Sequence, residues 1–546
     1  MGIKVLIVGK GLTGLMAAWQ LLEKTGSAEL EIEIVSDGSG ASPYVHGFNV
    51  PLHPNDTVDI FKQDTMDGGY GLSNSELVKY LCEDSEDMPA LLERLQVFLE
   101  KKDGQYKLLK PLGSTWPRVA GSGNHTGAEI MNRLDALLKS RKEVCFTASA
   151  RVLRLDVQDG SVRGAVLWNK KKEEFEYREA DIVMLASGGF CGIYPFSTNM
   201  PDSGGDGIAM AFEAGAVLTD MEFIQFEPSV ALYPEGVRSK SVITTMFYEG
   251  AVLRNGKNER FMKPEGSEGP GECVGKDTLA KAIYREMQEG TPTEHGGVYF
   301  DATGVGAEKL MESYASYVDR YKKVGVDITK EPFEIAPGAH TSLGGVVVNT
   351  NCETNIKGLF AAGEIIGGLH GANRVGGNAG LETLVFGKRA ADGMYKYFVE
   401  ADVKNFRDQN TNEAERISSL IGKENEAVMN PEEIIEIREK MEKLLQNNLF
   451  VIRNGADLEK AVASIEEMEA YVKTHSCHQN PYGKLRLEND LICATLLAHA
   501  ALARTESVGC HVRKDSDEGD YKYNVMLQKD NRGKRKLWKE SLKEEK

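Results

Sequence analysis

Residues 3–8, IKVLIV, form a short apolar run rich in β-branched side chains, of the kind that makes a buried parallel strand. Gly9-Lys10-Gly11-Leu12-Thr13-Gly14 follows, and then LMAAWQLLEK, which has helical apolar spacing. Strand, GxGxxG and helix in that order make a dinucleotide-binding unit. Gly9, Gly11 and Gly14 serve a tight turn, close approach to a pyrophosphate, and close helix–strand packing. The next strand, residues 31–35, ends at Ser36-Asp37, where either side chain can meet ribose hydroxyls. Further on, residues 181–186 (DIVMLA) read as a buried strand that ends at Ser187-Gly188-Gly189, a turn facing a ligand.

A second glycine-dense stretch, GEIIGGLHGANRVGGNAGLETLVFG, spans residues 363–387. It carries Glu364, His370, Asn373 and Arg374, then a polar-glycine turn at 376–380 and an apolar run typical of a helix. Six glycines between 363 and 377 let backbone come close to a large flat ligand, because glycine has no Cβ in the way. Such turns, leading into a helix, also offer free N–H groups to anions and carbonyl oxygens.

A chain of 546 residues is long enough for more than one core. Its net charge of −17, with no dominant basic patch, argues against nucleic acid as a partner. No run approaches the roughly 18 apolar residues of a bilayer span, and no leader-like segment precedes the first strand. The expectation is a cytoplasmic protein without direct membrane insertion, peripheral at most through partners. The eight cysteines are scattered without a CxxC, so no familiar iron–sulfur or zinc ligand set is present and no metal site is expected.

The expected class is α/β, with a Rossmann-like domain over 1–216 and 340–395. An inserted α+β cap over 217–339 contains an amphipathic helix at 278–288, and a C-terminal helical domain covers 396–546. Within the last, 431–448 and 456–474 have 3.6-residue apolar periodicity, and the charged tail 529–546 reads as a solvated, frayed helix. A site between a nucleotide domain and a cap can close over substrate and expel water.

The two glycine motifs, with ASGGFCGIY (186–194), GGDGIAMAFEAGA (204–216), DMEFIQFEPS (220–229), KDTLAKAIYREM (276–287), HTSLGGV (340–346) and LARTESVGCH (502–511), resemble one family. It comprises the flavoprotein subunits of succinate dehydrogenase and fumarate reductase, with L-aspartate oxidase. The resemblance implies FAD in the cleft. Glu364 would meet its ribityl chain, Asn378 to Leu381 would cover the flavin ring, and Asp206 would join the cofactor residues. Where many relatives carry a histidine bonded to the flavin, this chain reads Gly40-Ala41-Ser42-Pro43-Tyr44, with His46 displaced, so the FAD is expected to be noncovalent.

The resemblance also gives a substrate site. His340 and Arg374 fall where the family binds a substrate carboxylate, a task suited to the planar guanidinium. The family's Gln-Phe-His-Pro-Thr is Gln225-Phe226-Glu227-Pro228-Ser229 here, its proton-donating arginine is Lys276, and its relay Glu and Arg are Thr244 and Phe247. The leading expectation is hydride exchange with a carboxylate-bearing enoate or saturated acid, with Lys276 as proton donor and Glu227 as the alternative donor. True fumarate reduction or succinate oxidation, L-aspartate oxidation, and a non-catalytic electron-transfer role are the alternatives. Electrons would pass to a separate partner, iron–sulfur or similar.

Overall fold

The computed structural model describes residues 2–26, 30–38, 40–200, 203–262, 271–400, 412–421, 427–516 and 521–542. Five parallel strands form the first sheet, in the order Leu359–Ala361, Ile182–Leu185, Ile3–Val8, Leu30–Ser36, Val144–Ala148. Ile3–Val8 lies in the middle, with Val8 paired to Leu185 on one side and to Val35 on the other. Connections diverge at its carboxyl end, which is where open α/β sheets form a ligand crevice.

The glycines of that crevice are set by contact distances. Gly9 has φ +116°, and a Cβ there would stand 2.2 Å from the Ala186 carbonyl oxygen. A Cβ on Gly14 would stand 2.1 Å from the Gly9 oxygen, so the helix Leu12–Thr25 could not sit so close to its strand. The helix Asn378–Glu400 packs on Leu12–Thr25 through Gly387, whose added Cβ would lie 3.0 Å from Thr13 O. The two glycine-dense segments of the sequence are thereby joined in one layer. An antiparallel meander of Ala150–Gln158, Ser161–Asn169 and Glu174–Glu179 flanks the sheet.

A second core belongs to the middle of the chain. Four antiparallel strands run in the order Ile224–Tyr233, Phe333–Ser342, Val298–Asp301, Val252–Arg254. They bury Leu253, Phe300, Phe333 and Ile335 with Tyr321 from a neighbouring helix. The helix expected at 278–288 spans Lys276–Glu289. The two long strands matter most for the site. Their register shifts between Gln225, opposite Thr341, and Phe226, opposite Ala339, so His340 is the extra residue of a bulge. A bulge re-aims a side chain that regular pairing would send elsewhere.

The C-terminal region holds the helices Pro431–Asn448 and Gly455–Thr474 at the expected positions, the first closed by an Asn430–Glu433 capping box. A third helix, Pro481–Ala503, is buried at every residue from Leu485 to Ala498, so it has no polar stripe for periodicity to detect. The expected frayed helix at the tail is overturned. Tyr523–Lys529 pairs antiparallel with Arg535–Ser541, turns at Gly533, and extends a sheet that contains Leu218–Thr219 and Gly345–Val346. Val525 and Leu527 alternate into the core there, a two-residue period masked by the surrounding charge. Residues 543–546 of that tail lie outside the described residues.

Gly14→Ala forces helix and strand apart, and overpacking of this kind costs about 1–3 kcal/mol. The expected outcome is a lower melting temperature together with weaker FAD uptake, read by thermal unfolding and by bound flavin per polypeptide. Unchanged values for both would refute the contact argument.

Candidate active site

A cavity of about 1130 Å³ separates the two cores. On one side it is lined by backbone-rich segments, Val45–Gly47, Gly376–Gly377 and Ala379–Gly380. On the other it meets the side chains of Glu227, Lys276, His340 and Arg374. The four candidate catalytic residues, drawn from four separate stretches of sequence, therefore face one space.

The flavin-side wall fits a large flat cofactor. Gly376 and Gly377 come from the turn before the helix Asn378–Glu400, and a Cβ on Gly377 would meet Asn49 Oδ1 at 2.4 Å. Ala379 and Gly380 belong to the first turn of that helix, where N–H groups lack intrahelical acceptors. Glu364 lines the cavity with one oxygen engaged: its Oε1 accepts from Thr341 Oγ1 at 2.8 Å and from Ser342 N at 3.2 Å. Its Oε2 has no protein hydrogen bond among the described residues, which suits a ligand hydroxyl. Burial raises the Glu364 carboxyl above the usual range.

Asn378 and Leu381, expected over the flavin ring, are not among the residues lining this cavity. Asn378 is fully buried, its Oδ1 taking Asn49 Nδ2 at 2.7 Å and its Nδ2 facing Thr65 Oγ1 at 3.3 Å. Leu381 is equally buried in the core. Ala379 and Gly380, between them, are the residues that face the cavity.

The remaining predicted cofactor residues gather near the carboxyl end of the parallel sheet. Ser42 Oγ accepts from Leu12 N at 3.0 Å and closes over Gly11, so the Ser42–Tyr44 turn leans on the glycine loop. At Gly188 (φ +79°) an added Cβ would meet nothing within 4 Å. Asp37 is bound by Arg151 Nε at 3.1 Å and Lys170 Nζ at 2.7 Å. Arg151 NH1 also holds Asp206 at 2.8 Å, and Asp206 takes a further bond from Asn489 Nδ2 at 2.8 Å. One arginine thus joins both acids. Ser36, whose hydroxyl bonds among the described residues only to Gly38 O at 3.2 Å, is the freer partner for a ribose.

Glu227 is the hub of the cap side. It lies on the strand Ile224–Tyr233 with a side chain only 3% exposed, and its Oε2 accepts a hydrogen bond from Lys276 Nζ. Lys276 is the first residue of its helix, where a cation is disfavoured by the helix dipole unless an anion faces it. His340 Nε2 stands 3.8 Å from the same Glu227 oxygen, and its Nδ1 is 2.7 Å from Thr198 Oγ1. Burial, then Lys276 and Arg374, push the His340 imidazole well below its usual pKa, so it is neutral at neutral pH.

Arg374, like Arg453, is a core arginine with no carboxylate in ion-pair distance among the described residues, but Arg374 lines the cavity and Arg453 is held by Phe450 O, Glu222 O and His511. Arg374 is buried, and burial lowers its pKa against the pull of Glu227, Glu364 and Glu382. Yet among the described residues no carboxylate lies within ion-pair distance of it. Its Nε has no partner, and NH1 reaches only Val375 O at 3.5 Å. Gln225 Nε2 fixes the turn that carries it, donating to Asn373 Oδ1 at 2.8 Å and Arg374 O at 2.9 Å. Arg118, by contrast, is bound by Asp56 at 2.6 Å and Asp64 at 2.6 Å. A buried cation left unmatched is costly, so the arrangement is one that an incoming anion completes.

Thr244 lines the cavity, whereas Phe247 packs on Phe300 in the cap core at 5.0 Å between rings. Sequence reasoning missed Thr198, which orients His340, and Tyr317 and Arg320, which line the cavity from the helix Ala315–Lys322. Nothing in that amphipathic helix marks one turn of it as facing a site.

Comparison with known proteins agrees with this geometry. Residues 4–379 match the family model described as FAD binding domain, and 438–546 match fumarate reductase flavoprotein C-term. One of the subunits of the CoM/CoB fumarate reductase of Methanothermobacter marburgensis is 34% identical, with 96% of each chain covered. An L-aspartate oxidase of Saccharolobus solfataricus is 31% identical, over 94% of this chain and 96% of that one. Among solved structures, a point variant of an E. coli quinol fumarate reductase superposes with a TM-score of 0.88 at 26% identity, covering 99% of this chain and 97% of that one. The chain belongs to the family of FAD-dependent succinate dehydrogenase and fumarate reductase flavoproteins, and its cofactor is FAD.

Two outcomes follow for the cofactor and for His340. Acid denaturation is expected to release all the flavin into solution, since no histidine stands in Ser42–Tyr44 and the His46 carbonyl takes Thr126 Oγ1 at 2.5 Å. Yellow colour retained in the precipitate would point instead to attachment at His46. In histidine-labelled NMR spectra the His340 ring is expected to stay neutral down through pH 6.5, where an ordinary imidazole is half protonated. An ordinary midpoint would contradict the effect of partial burial beside Lys276 and Arg374 on this ring.

Proposed function

We propose that this protein is an FAD-dependent oxidoreductase that exchanges a hydride with the β-carbon of a carboxylate-bearing enoate or its saturated acid. The observation that carries this reading is Arg374, a buried guanidinium with no carboxylate partner among the described residues, facing the cavity beside the glycine-lined cofactor wall. Bound FAD supplies the hydride chemistry. Arg374 takes the substrate carboxylate, and neutral His340, with one ring nitrogen at Thr198, is positioned to steady it as enolate charge develops. Lys276 gives the proton to the α-carbon in the direction of reduction, and Glu227, its hydrogen-bond partner, is the path by which that proton is replaced. The second candidate donor, Glu227, thus acts through Lys276.

The alternatives fare less well on the same geometry. An aspartate oxidase would need an acid free to meet the substrate ammonium, but Glu227 already faces Lys276. Fumarate chemistry of the family type would use a histidine where Glu227 stands and a charged relay where Thr244 and Phe247 stand. A non-catalytic electron carrier gives no reason for an unmatched buried arginine to line the cavity. Electron exchange with a separate protein is supported by the absence of a CxxC and by a relative named as one subunit of a reductase. Among the described residues no helix is long and apolar enough to cross a membrane.

The test is oxidation of reduced viologen by the purified holoprotein with a panel of enoates, fumarate included, alongside peroxide formation from aspartate and oxygen. Enoate-dependent dye oxidation is expected, and aspartate-dependent peroxide is not. Lys276→Met is expected to lower kcat by about 10²-fold or more while FAD stays bound. Unchanged turnover removes Lys276 from the mechanism.

A further inference from the structure

A turn outside the cavity ties its two walls together. The helix Val58–Gly68 ends in the sequence Gly68-Gly69-Tyr70-Gly71. Gly69 O accepts from Ala372 N at 3.1 Å, and Gly68 O from Asn373 Nδ2 at 3.2 Å. A Cβ on Gly371 would stand 2.4 Å from Gly69 O, so the contact depends on glycine there. The turn is thus locked onto residues 371–373, directly before Arg374.

Tyr70 has φ +60° and is the one aromatic residue in left-handed backbone among the described residues. A Cβ is crowded in that conformation, whereas the glycines on either side would adopt it freely. Strain of this kind points to a use for the side chain. The Tyr70 hydroxyl donates to Asp277 Oδ2 at 2.5 Å. Partial burial, then the charge of Asp277, raises the pKa of the phenol and keeps it a donor.

Asp277 follows Lys276 in the first turn of the helix Lys276–Glu289. Successive residues of a helix point about 100° apart. Lys276 therefore reaches Glu227 at the cavity while Asp277 reaches Tyr70 on another side. Neither Tyr70 nor Asp277 is among the residues lining the cavity. Further along, Leu279 and Ile283 enter the cap core and Ala280 the larger core, so the helix runs along the seam. Glu227 stands on a cap strand, so its bond to Lys276 fixes that pair within the cap but not against Arg374. The bond from Tyr70 to Asp277 makes that second connection, since Tyr70 and Arg374 sit on turns bonded to each other.

We infer that Tyr70 is a positioning residue, whose hydrogen bond to Asp277 sets where Lys276 stands relative to Arg374. This assignment rests on the carboxylate–hydride reading above and adds to it a residue outside the cavity. Without the bond Lys276 keeps Glu227 but shifts together with it. The substrate carboxylate still finds Arg374, and the proton then starts from the wrong place.

The experiment compares wild type with Tyr70→Phe, Asp277→Ala, Asp277→Asn and the double variant Tyr70→Phe/Asp277→Ala. It measures kcat and KM with reduced viologen and the enoate that wild type turns over best, bound FAD, and hydrogen exchange of the amides of residues 279–283 in the oxidised holoprotein. Tyr70→Phe and Asp277→Ala are each expected to lower kcat by about tenfold or more, with KM and bound FAD unchanged. The double variant is expected to be no worse than the poorer single one, because both remove one bond. Asp277→Asn, whose carboxamide oxygen still accepts from the phenol, is expected to recover most of kcat. Exchange of residues 279–283 is expected to quicken by about tenfold in both single variants, and no further in the double. Unchanged kcat, a fall matched by a rise in KM or by loss of FAD, losses that multiply in the double variant, or unchanged exchange overturns the assignment. If wild type turns over no acid, the hydride reading falls. The connection between Tyr70 and the Lys276 helix is then decided by exchange alone, and is overturned if exchange is unchanged or if the two effects multiply.

Discussion

The cavity of this protein is built around an arginine that lines it, is buried, and has no carboxylate in ion-pair distance among the described residues. Arg374 could have been matched in the way Arg118 is matched by Asp56 and Asp64, and the fold would have gained a closed ion cluster. The chain instead holds the guanidinium in place by its backbone. Gln225 bonds to Arg374 O and to Asn373, and Asn373 Nδ2 donates to Gly68 O at 3.2 Å. Attraction from Glu227, Glu364 and Glu382, none within ion-pair distance, offsets only part of the desolvation, which still lowers the pKa of the guanidinium. Such a residue is tolerated where a ligand anion supplies the missing partner.

That arrangement needs two cores to meet at one seam. The parallel sheet and the helices on it present backbone, because glycines at the turns let the chain approach a flat cofactor. The cap presents charge, because its two long strands place Glu227 and His340 on one face. The His340 bulge is the local device that makes this possible: regular alternation from Ala339 would send residue 340 to the opposite side of Thr341 and out of register with Glu227. Each wall is incomplete alone, and the chemistry proposed for the seam uses residues from both.

The sequence made some of this readable and hid the rest, for reasons that can be named. Strand–GxGxxG–helix specified the central strand and its neighbour, since steric demands at Gly9 and Gly14 leave few other conformations. The helices at 431–448 and 455–474 were visible in their apolar stripe, and Pro481–Ala503 lost its boundaries because all its faces are buried. The tail hairpin was hidden by charge, as its alternation is carried by few residues such as Val525 and Leu527. In the site, Lys276, Glu227, His340 and Arg374 were readable only through motif resemblance. Arg320 and Tyr317 could not be found that way, for their place in the lining depends on how one cap helix faces the cavity. Asn378 and Leu381 were placed on the cavity by the motif, but a helix start exposes alternate sides, and Ala379 and Gly380 occupy that side.

The replacement of a histidine by Glu227 and of an arginine by Lys276, read one at a time, looks like two losses. Read together, it is one exchange. An acid at position 227 alone would leave a carboxylate 3% exposed with no cation on it, and a lysine at 276 alone would put an ammonium at a helix N-terminus against the dipole. Each makes the other tolerable. The pair also places a transferable proton on a primary amine, whose pKa can be tuned by surroundings in a way that a guanidinium cannot match. In the proposed reaction the proton given to the α-carbon comes from this ammonium, with the Glu227 carboxylate beside it. On this argument the departures at 227 and 276 are a single acid–base unit, and removing either partner should cost more than exchanging both together for the family's residues.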